Sequence, residues 1–137
     1  QCGDNPIEFV ELFIGGLIDL YSVDEDLYRA AFIAGEREQL FEHELPTGIF
    51  SKSLKLAEKV CGDAVAKKHL KGNIDVKQLA TQLFSCQRIA RHDWMHGYIN
   101  LKTYHSQVLV GMYITLASDA EPEFHRQLIQ KLNSLRS

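Results

Sequence analysis

The chain lacks the long apolar run that a membrane span requires. Nowhere in its 137 residues do about 18 apolar residues follow one another, which argues against a transmembrane helix. The opening residues, QCGDNPIE, have neither the basic nor the apolar part of a signal peptide. These absences predict a cytoplasmic protein with no membrane partner.

Cysteine is also scarce, and positive charge is not in excess. The three cysteines, Cys2, Cys61 and Cys86, are far apart and none belongs to a C-x-x-C pair, which argues against both a disulfide framework and a zinc ribbon. A formal net charge of −3 gives no overall basic surface for nucleic-acid phosphates. The chain by itself is therefore not expected to hold DNA or RNA.

The short motifs that mark common catalytic sites are missing as well. The sequence contains no G-x-S-x-G elbow, no P-loop and no G-x-G-x-x-G pattern. Cys61 and Cys86 fall on helical faces, where a cysteine is more often an inert core residue than a nucleophile. We therefore expect no enzymatic activity and no cofactor.

What the chain does contain is helical periodicity along almost its whole length. Capping residues are followed by apolar residues at steps of three and four, and no alternating run demands a strand. The segment 36–45 is ambiguous. Predicted helix starts are Asn5, Asp24, Ile49, Asp75, Asn100 and Pro122, and predicted stops are Gly35, the region near Leu70, and Gly97. The sequence predicts one all-α domain, residues 1–137, built as an orthogonal bundle of about six helices.

The segment from Thr103 to Ser118 contains no Asp, Glu, Lys or Arg. A helix that is apolar nearly all round must be buried nearly all round. It is either the central helix of its own domain or the seam of a homodimer, in which Gly111 would let another helix approach closely. We favour the dimer because the final helix is amphipathic too. The predicted interface residues are Val108, Gly111, Thr115, Phe124, Leu128 and Leu132.

Residues 91–100, RHDWMHGYIN, place two histidines four residues apart. His92, Asp93 and His96 have the layout of the zinc-protease H-E-x-x-H motif, with Asp in place of Glu. However, Asp is shorter than Glu, and a third ligand must come from elsewhere. The simpler interpretation is the last turn of a helix, where the helix dipole favours cationic side chains and Gly97 ends the helix. We therefore predict no metal, and a helical metalloenzyme built on His92 and His96 remains an alternative.

The stretch WMHGYIN at 94–100, followed by Tyr104, an apolar helix and a short amphipathic helix, resembles the C-terminal half of TetR-family transcriptional regulators. The helix opened by Pro6 and the acidic segment 24–32 fit the same order. The resemblance implies an effector-binding and dimerisation domain whose last two helices pair with those of a second copy as a four-helix bundle. The family's N-terminal helix-turn-helix, with its T-x-x-x-I-A…G-V-S…Y-x-H-F pattern, is absent from this chain, and the lack of an initiator Met agrees with a partial sequence.

The resemblance also implies partners, namely a second copy, a small-molecule effector and, through the missing N-terminal domain, operator DNA. An effector pocket should lie between helices and be lined by aromatic side chains with a few polar anchors. The residues predicted to line it are Phe13, Tyr28, Phe32, Phe50, Leu54, Phe84, Trp94 and Tyr104, with Gln87 or Arg88 as the anchor. Aromatic lining favours a flat or greasy molecule, whereas an arginine favours a carboxylate. A second alternative is an interaction module that has a solid core and senses nothing.

Overall fold

All regular secondary structure in the described part of the chain is helical. A computed structural model describes residues 5–37 and 49–136, without the side chains of residues 36, 37 and 49–51. Its helices are α1 (Pro6–Val23), α2 (Glu25–Arg37), α3 (Ile49–Ala66), α4 (Val76–Met95), α5 (Leu101–Ala117) and α6 (Pro122–Ser134). The all-α prediction is confirmed. None of these helices is long and apolar enough to cross a membrane.

The predicted caps account for where four of the helices begin. Asn5 Oδ1 accepts a hydrogen bond from the backbone N–H of Ile7 at 2.8 Å, and Asn100 Oδ1 accepts one from Thr103 at 2.8 Å. The carboxylates of Asp24 and Asp75 accept in the same way from the residue three positions on, at 3.1 and 3.3 Å. Each side chain satisfies an N–H group that the first helical turn leaves without a partner.

Two predicted helix ends differ from the structure. Gly35 does not stop α2, which continues to Arg37. Helix α3 ends at Ala66 rather than near Leu70, because Lys68 adopts a left-handed φ of 65° and the chain turns there. At the end of α4, by contrast, Gly97 has a φ of 82° and its N–H donates to the carbonyl of Trp94 at 3.0 Å, as a helix stop should.

Helix α5 is the central helix of the bundle. It packs against α1, α4 and α6, and residues such as Met112 and Leu116 are almost completely buried. Gly111 allows the close approach of α4 of the same chain: a Cβ atom at this position would lie 2.9 Å from Cys86 Sγ. Burial within one chain therefore accounts for most of the uncharged stretch from Thr103 to Ser118, and Ile114, which is 55% exposed, is the exception.

This packing corrects the assignment of most predicted interface residues. Val108 and Leu128 are completely buried and Phe124 is nearly so, all within a single chain. Thr115 is half-buried, and its hydroxyl donates to the Gly111 carbonyl at 2.8 Å. Side chains already covered by their own core do not face a second copy. The other three of the six residues, Gly111, Thr115 and Leu132, are partly exposed.

The loop between α3 and α4 is tied to the loop between α5 and α6 by Asp119. This carboxylate is buried and accepts hydrogen bonds from the N–H groups of Gly72 at 3.0 Å and of Asn73 and Ile74 at 3.3 Å. Leu70 and Ala120 form an isolated antiparallel bridge beside it. Because three donors converge on one side chain, the relative position of the two loops depends on Asp119.

We expect Asp119→Ala to lower the free energy of unfolding by about 2–3 kcal/mol, because the three N–H groups lose their acceptor. Asp119→Asn, which keeps a single carbonyl oxygen, should fall between the wild type and the alanine variant. Urea denaturation followed by circular dichroism measures all three proteins. The matched control is Glu121→Ala, since the Glu121 side chain makes no capping bond to α6. Equal losses at residues 119 and 121 would show that the hydrogen bonds contribute nothing.

Candidate ligand-binding site

A cluster of stacked aromatic rings joins α1, α2, α4 and α5. The Trp94 ring lies nearly parallel to Tyr21 and Tyr104, with centroids 5.2 and 5.7 Å away. Tyr28 and Phe32 of α2 pack on Tyr21 from the other direction, each with its centroid 5.3 Å from that of Tyr21. Four of the residues predicted from the sequence, Tyr28, Phe32, Trp94 and Tyr104, are thus brought together in what we call the Trp94 cluster.

Two hydrogen bonds fix the polar tips of the cluster. Tyr104 donates its hydroxyl proton to Gln87 Oε1 at 3.2 Å, and both residues are buried. Trp94 donates from Nε1 to Glu25 Oε1, also at 3.2 Å. Aromatic rings that carry polar atoms usually find such partners when they are buried. Gln87 therefore contacts the cluster as predicted, through a tyrosine hydroxyl.

Two arginines lie over the rings of the cluster. The guanidinium of Arg29 is 5.2 Å from the Trp94 centroid, and that of Arg91 is 5.2 Å from the Phe32 centroid. Arg91 is buried, whereas Arg88, the arginine predicted as anchor, is exposed on α4. Of these two arginines of α4, Arg91 is the one that lies over a ring of the cluster. Arg91 follows Gln87 by four residues and precedes Trp94 by three, so a helical wheel could have placed it on this face.

The Arg29 side chain leaves one polar atom of the cluster without a partner. Its Nε atom is buried and finds no hydrogen-bond acceptor within the described residues, while its terminal nitrogen lies 3.7 Å from Glu25. A buried donor without an acceptor is unfavourable by about 1–3 kcal/mol. An acceptor atom brought in by a ligand would relieve this deficit.

The remaining predicted pocket residues belong to other parts of the core. Phe13 and Phe84 meet edge to face with centroids 5.1 Å apart, and Phe9 stacks on Phe13 at 6.2 Å. Leu54 packs against the core from α3. The side chain of Phe50 lies outside the described residues. The Trp94 cluster also contains residues that the sequence analysis did not assign to the pocket, namely Tyr21, Glu25, Arg29 and Arg91.

Burial changes the acid–base behaviour of the tyrosines in the cluster. Desolvation raises the pKa of Tyr104 above its ordinary value, and the nearby Tyr21 raises it further, while the charge on Arg91 opposes both effects. Desolvation likewise raises the pKa of Tyr21, against the opposing effect of Arg91. Both hydroxyls therefore stay protonated over the physiological pH range and act as hydrogen-bonding groups there.

An open cleft of about 550 Å³ lies elsewhere, between α1 and α6. Glu11 is one of its walls, and its Oε2 accepts from the Tyr113 hydroxyl at 2.5 Å and lies 3.0 Å from Lys131 Nζ. These contacts join α1, α5 and α6. Its walls contain none of the predicted pocket residues; they are Asn5, Ile7, Glu8, Glu11, Gln127, Gln130, Lys131 and Ser134.

The two histidines of the RHDWMHGYIN stretch lie on the surface at the end of α4. Their ring centroids are 4.5 Å apart, and both side chains are exposed. Within residues 5–37 and 49–136, no three or more His, Cys, Asp or Glu side chains gather as a ligand set for a metal ion. A third protein ligand of the zinc-protease type is therefore missing from the described part of the chain.

Comparison with protein-family models, with curated proteins and with solved structures finds no match for this chain.

Raised tyrosine pKa values predict a loss of stability at high pH. The folded chain holds the Tyr104 and Tyr21 protons more tightly than the unfolded chain, in which tyrosine ionises near pH 10. The two protonated tyrosines therefore contribute their full stabilisation of the folded chain below about pH 10. Above that pH the free energy of unfolding falls, by up to about 1.4 kcal/mol per pH unit for each tyrosine. Urea denaturation between pH 8 and pH 11 measures this slope.

Tyr104→Phe should make that slope shallower, because one of the buried ionisable groups is gone. Its loss of the Gln87 hydrogen bond lowers stability at every pH and so does not alter the slope. Tyr98→Phe is the matched control, since its ring is 74% exposed. A slope that is identical in wild type and Tyr104→Phe would contradict the assignment.

Proposed function

We propose that the chain is the effector-binding and dimerisation domain of a TetR-like transcriptional repressor. The observation that carries the proposal is the Trp94 cluster, in which aromatic rings from four helices pack together and Arg29 lies over Trp94 with an Nε atom that finds no acceptor within the described residues. The succession of α4, the Gly97 stop, the Asn100 cap, the uncharged α5 and the short α6 supports the family resemblance. Binding of a small molecule in this cluster would change the affinity of the missing N-terminal domain for its operator.

The charges around the cluster favour a flat aromatic acid as the effector. Arg29 and Arg91 bring two positive charges to the rings, and Glu25 brings one negative charge. A planar ligand gains from stacking on Trp94 or Phe32, and its carboxylate can accept from the Arg29 guanidinium.

Helix α2 is the element that a ligand would displace. It carries Tyr28 and Phe32, which are half-buried, whereas Trp94 and Tyr104 beneath them are fully buried. Inserting a ring between Phe32 and Trp94 requires α2 to move outward. Tyr21 of α1 packs on both of these residues, so the same insertion would also displace α1.

A non-sensing interaction module is the second candidate function. It is favoured by the complete burial of Trp94 and Tyr104, which leaves no open space in the stack for a ligand. The two functions differ in whether the rings separate for a ligand, and a titration that reports on Trp94 distinguishes them.

Trp94 is the only tryptophan in the chain, so its fluorescence reports on the cluster alone. We expect 1-naphthoate to change this fluorescence saturably, and 1-naphthalenemethanol, which has no carboxylate, to bind at least about tenfold more weakly, a difference of about 1.4 kcal/mol. Arg29→Met should remove the preference for the acid, because the unpaired donor is lost. Isothermal titration calorimetry provides a second measure of affinity.

The control for this variant is Arg126→Met, an exposed arginine on α6 that pairs with Glu123. It should bind 1-naphthoate as the wild type does. If neither probe produces a saturable change in a folded wild-type protein, the effector-binding function is contradicted and the solid-core module is favoured.

The second part of the proposal is dimerisation, and the surface that best supports it is the partly exposed apolar side of α5. Val110, Ile114 and Ala117 recur at helical spacing, and Ile114 is 55% exposed although α5 carries no charge in this region. On α6, Ile129 and Leu132 offer further apolar surface. Pairing these surfaces about a two-fold axis would bury them in a four-helix bundle, in place of the interface first predicted.

Ile114→Glu should convert the dimer to a monomer at micromolar concentration, because the two-fold axis repeats the buried charge in both copies. Sedimentation equilibrium gives the mass. The matched control is Leu27→Glu, since Leu27 is 60% exposed but lies on α2. A monomeric wild type, or a dimer that survives Ile114→Glu, would contradict this interface.

A further inference from the structure

His92 and His96 have a relative geometry that none of the functions above uses. They are one helical turn apart at the end of α4, where His96 is the C-cap, and both side chains are exposed. Their ring centroids are 4.5 Å apart and their planes are inclined by 56°. Two imidazoles held at this spacing form a preorganised pair of nitrogen ligands.

The 4.5 Å separation matches two imidazoles in adjacent positions around one metal ion. With a metal–nitrogen bond of about 2.0 Å and a ring centroid about 1.2 Å behind the nitrogen, each centroid lies about 3.2 Å from the metal. An angle of about 90° at the metal then separates the centroids by about 4.5 Å, and a tetrahedral angle separates them by about 5.2 Å. The centroid separation is therefore closer to the value for a 90° angle than to that for a tetrahedral angle, and imidazole is a ligand that suits Cu²⁺ and Ni²⁺.

We propose that His92 and His96 form a surface site for a divalent transition-metal ion that prefers square-planar or octahedral coordination, Cu²⁺ or Ni²⁺. Within the described residues the two imidazoles are the protein ligands that this site offers. The pair does not suit Mg²⁺ or Ca²⁺, because both ions take oxygen ligands.

The two histidines lie at the C-terminal end of α4, where electrostatics favour a bound cation. The last carbonyl groups of a helix carry a partial negative charge, which stabilises a cation bound beside them. The turn that follows is closed by hydrogen bonds from Gly97 N–H to the Trp94 carbonyl at 3.0 Å and from Tyr98 N–H to the Asp93 carbonyl at 2.8 Å. An ion held by both histidines therefore also clamps the last turn of α4 against unwinding.

Calorimetric titration of the untagged 137-residue chain with NiCl₂ and with CuCl₂ tests the site. We expect one ion per chain, and an affinity at least about tenfold lower in His92→Ala and in His96→Ala, since each variant turns a two-point attachment into a one-point attachment. Metal binding should raise the melting temperature of the wild type and not that of either variant.

His125→Ala is the matched control, since this exposed histidine lies on α6. It should bind as the wild type does. Electron paramagnetic resonance of the Cu²⁺ complex should report two nitrogen ligands in the wild type and one in His92→Ala. Undiminished affinity in either single variant, an affinity lost equally in His125→Ala, or a single nitrogen ligand in the wild type would each overturn the proposal.

Discussion

The burial of α5 on three sides is the constraint on which the rest of the structure depends. Side chains such as Val108, Met112 and Leu116 lie in the part of α5 that has no charged residue, and each gains about 1.5–3 kcal/mol from leaving water. α1, α4 and α6 supply the cover, and the Gly111 backbone lets α4 come close. The stretch from Thr103 to Ser118, which has no charged residue, can fill the centre of the bundle because the surrounding helices carry charged residues on their outer faces.

The Trp94 cluster follows from the same arrangement. Tyr104 lies in the first turns of α5, so the helix brings its ring against Trp94 near the end of α4 and Tyr21 near the end of α1. Helix α2 then closes over these rings with its own aromatic side chains. Because Arg29 and Arg91 lie against the rings, the cluster combines stacking surface with positive charge, which are the two properties that recognise a flat acid.

Local features were predictable from the sequence, and the identity of packing partners was not. The caps at Asn5, Asp75 and Asn100 involve residues two or three positions apart, so a short stretch contains all the information. Periodicity also showed that α5 must be buried. It could not show whether its own chain or a second copy buries this helix, and Val108, which was predicted at an interface, is buried within its own chain.

The sequence pattern also predicted part of the candidate site, because inward-facing positions on a helix can be read from its periodicity. Aromatic residues at inward positions of several helices indicate a common core, which explains why Phe32, Trp94 and Tyr104 contact one another. Arg91 was not among the predicted anchors, although its spacing from Gln87 and Trp94 on α4 could have indicated that it shares their face. The bridge from Asp119 to the loop at residues 72–74 spans more than forty residues, so no local pattern could indicate it.

The central claim is that this chain is the regulatory half of a DNA-binding repressor. It is tested most directly by reading the coding sequence immediately upstream of Gln1 in its gene. The account predicts about fifty further residues with the T-x-x-x-I-A…G-V-S…Y-x-H-F pattern of the helix-turn-helix. An upstream sequence that encodes no helix-turn-helix would contradict it.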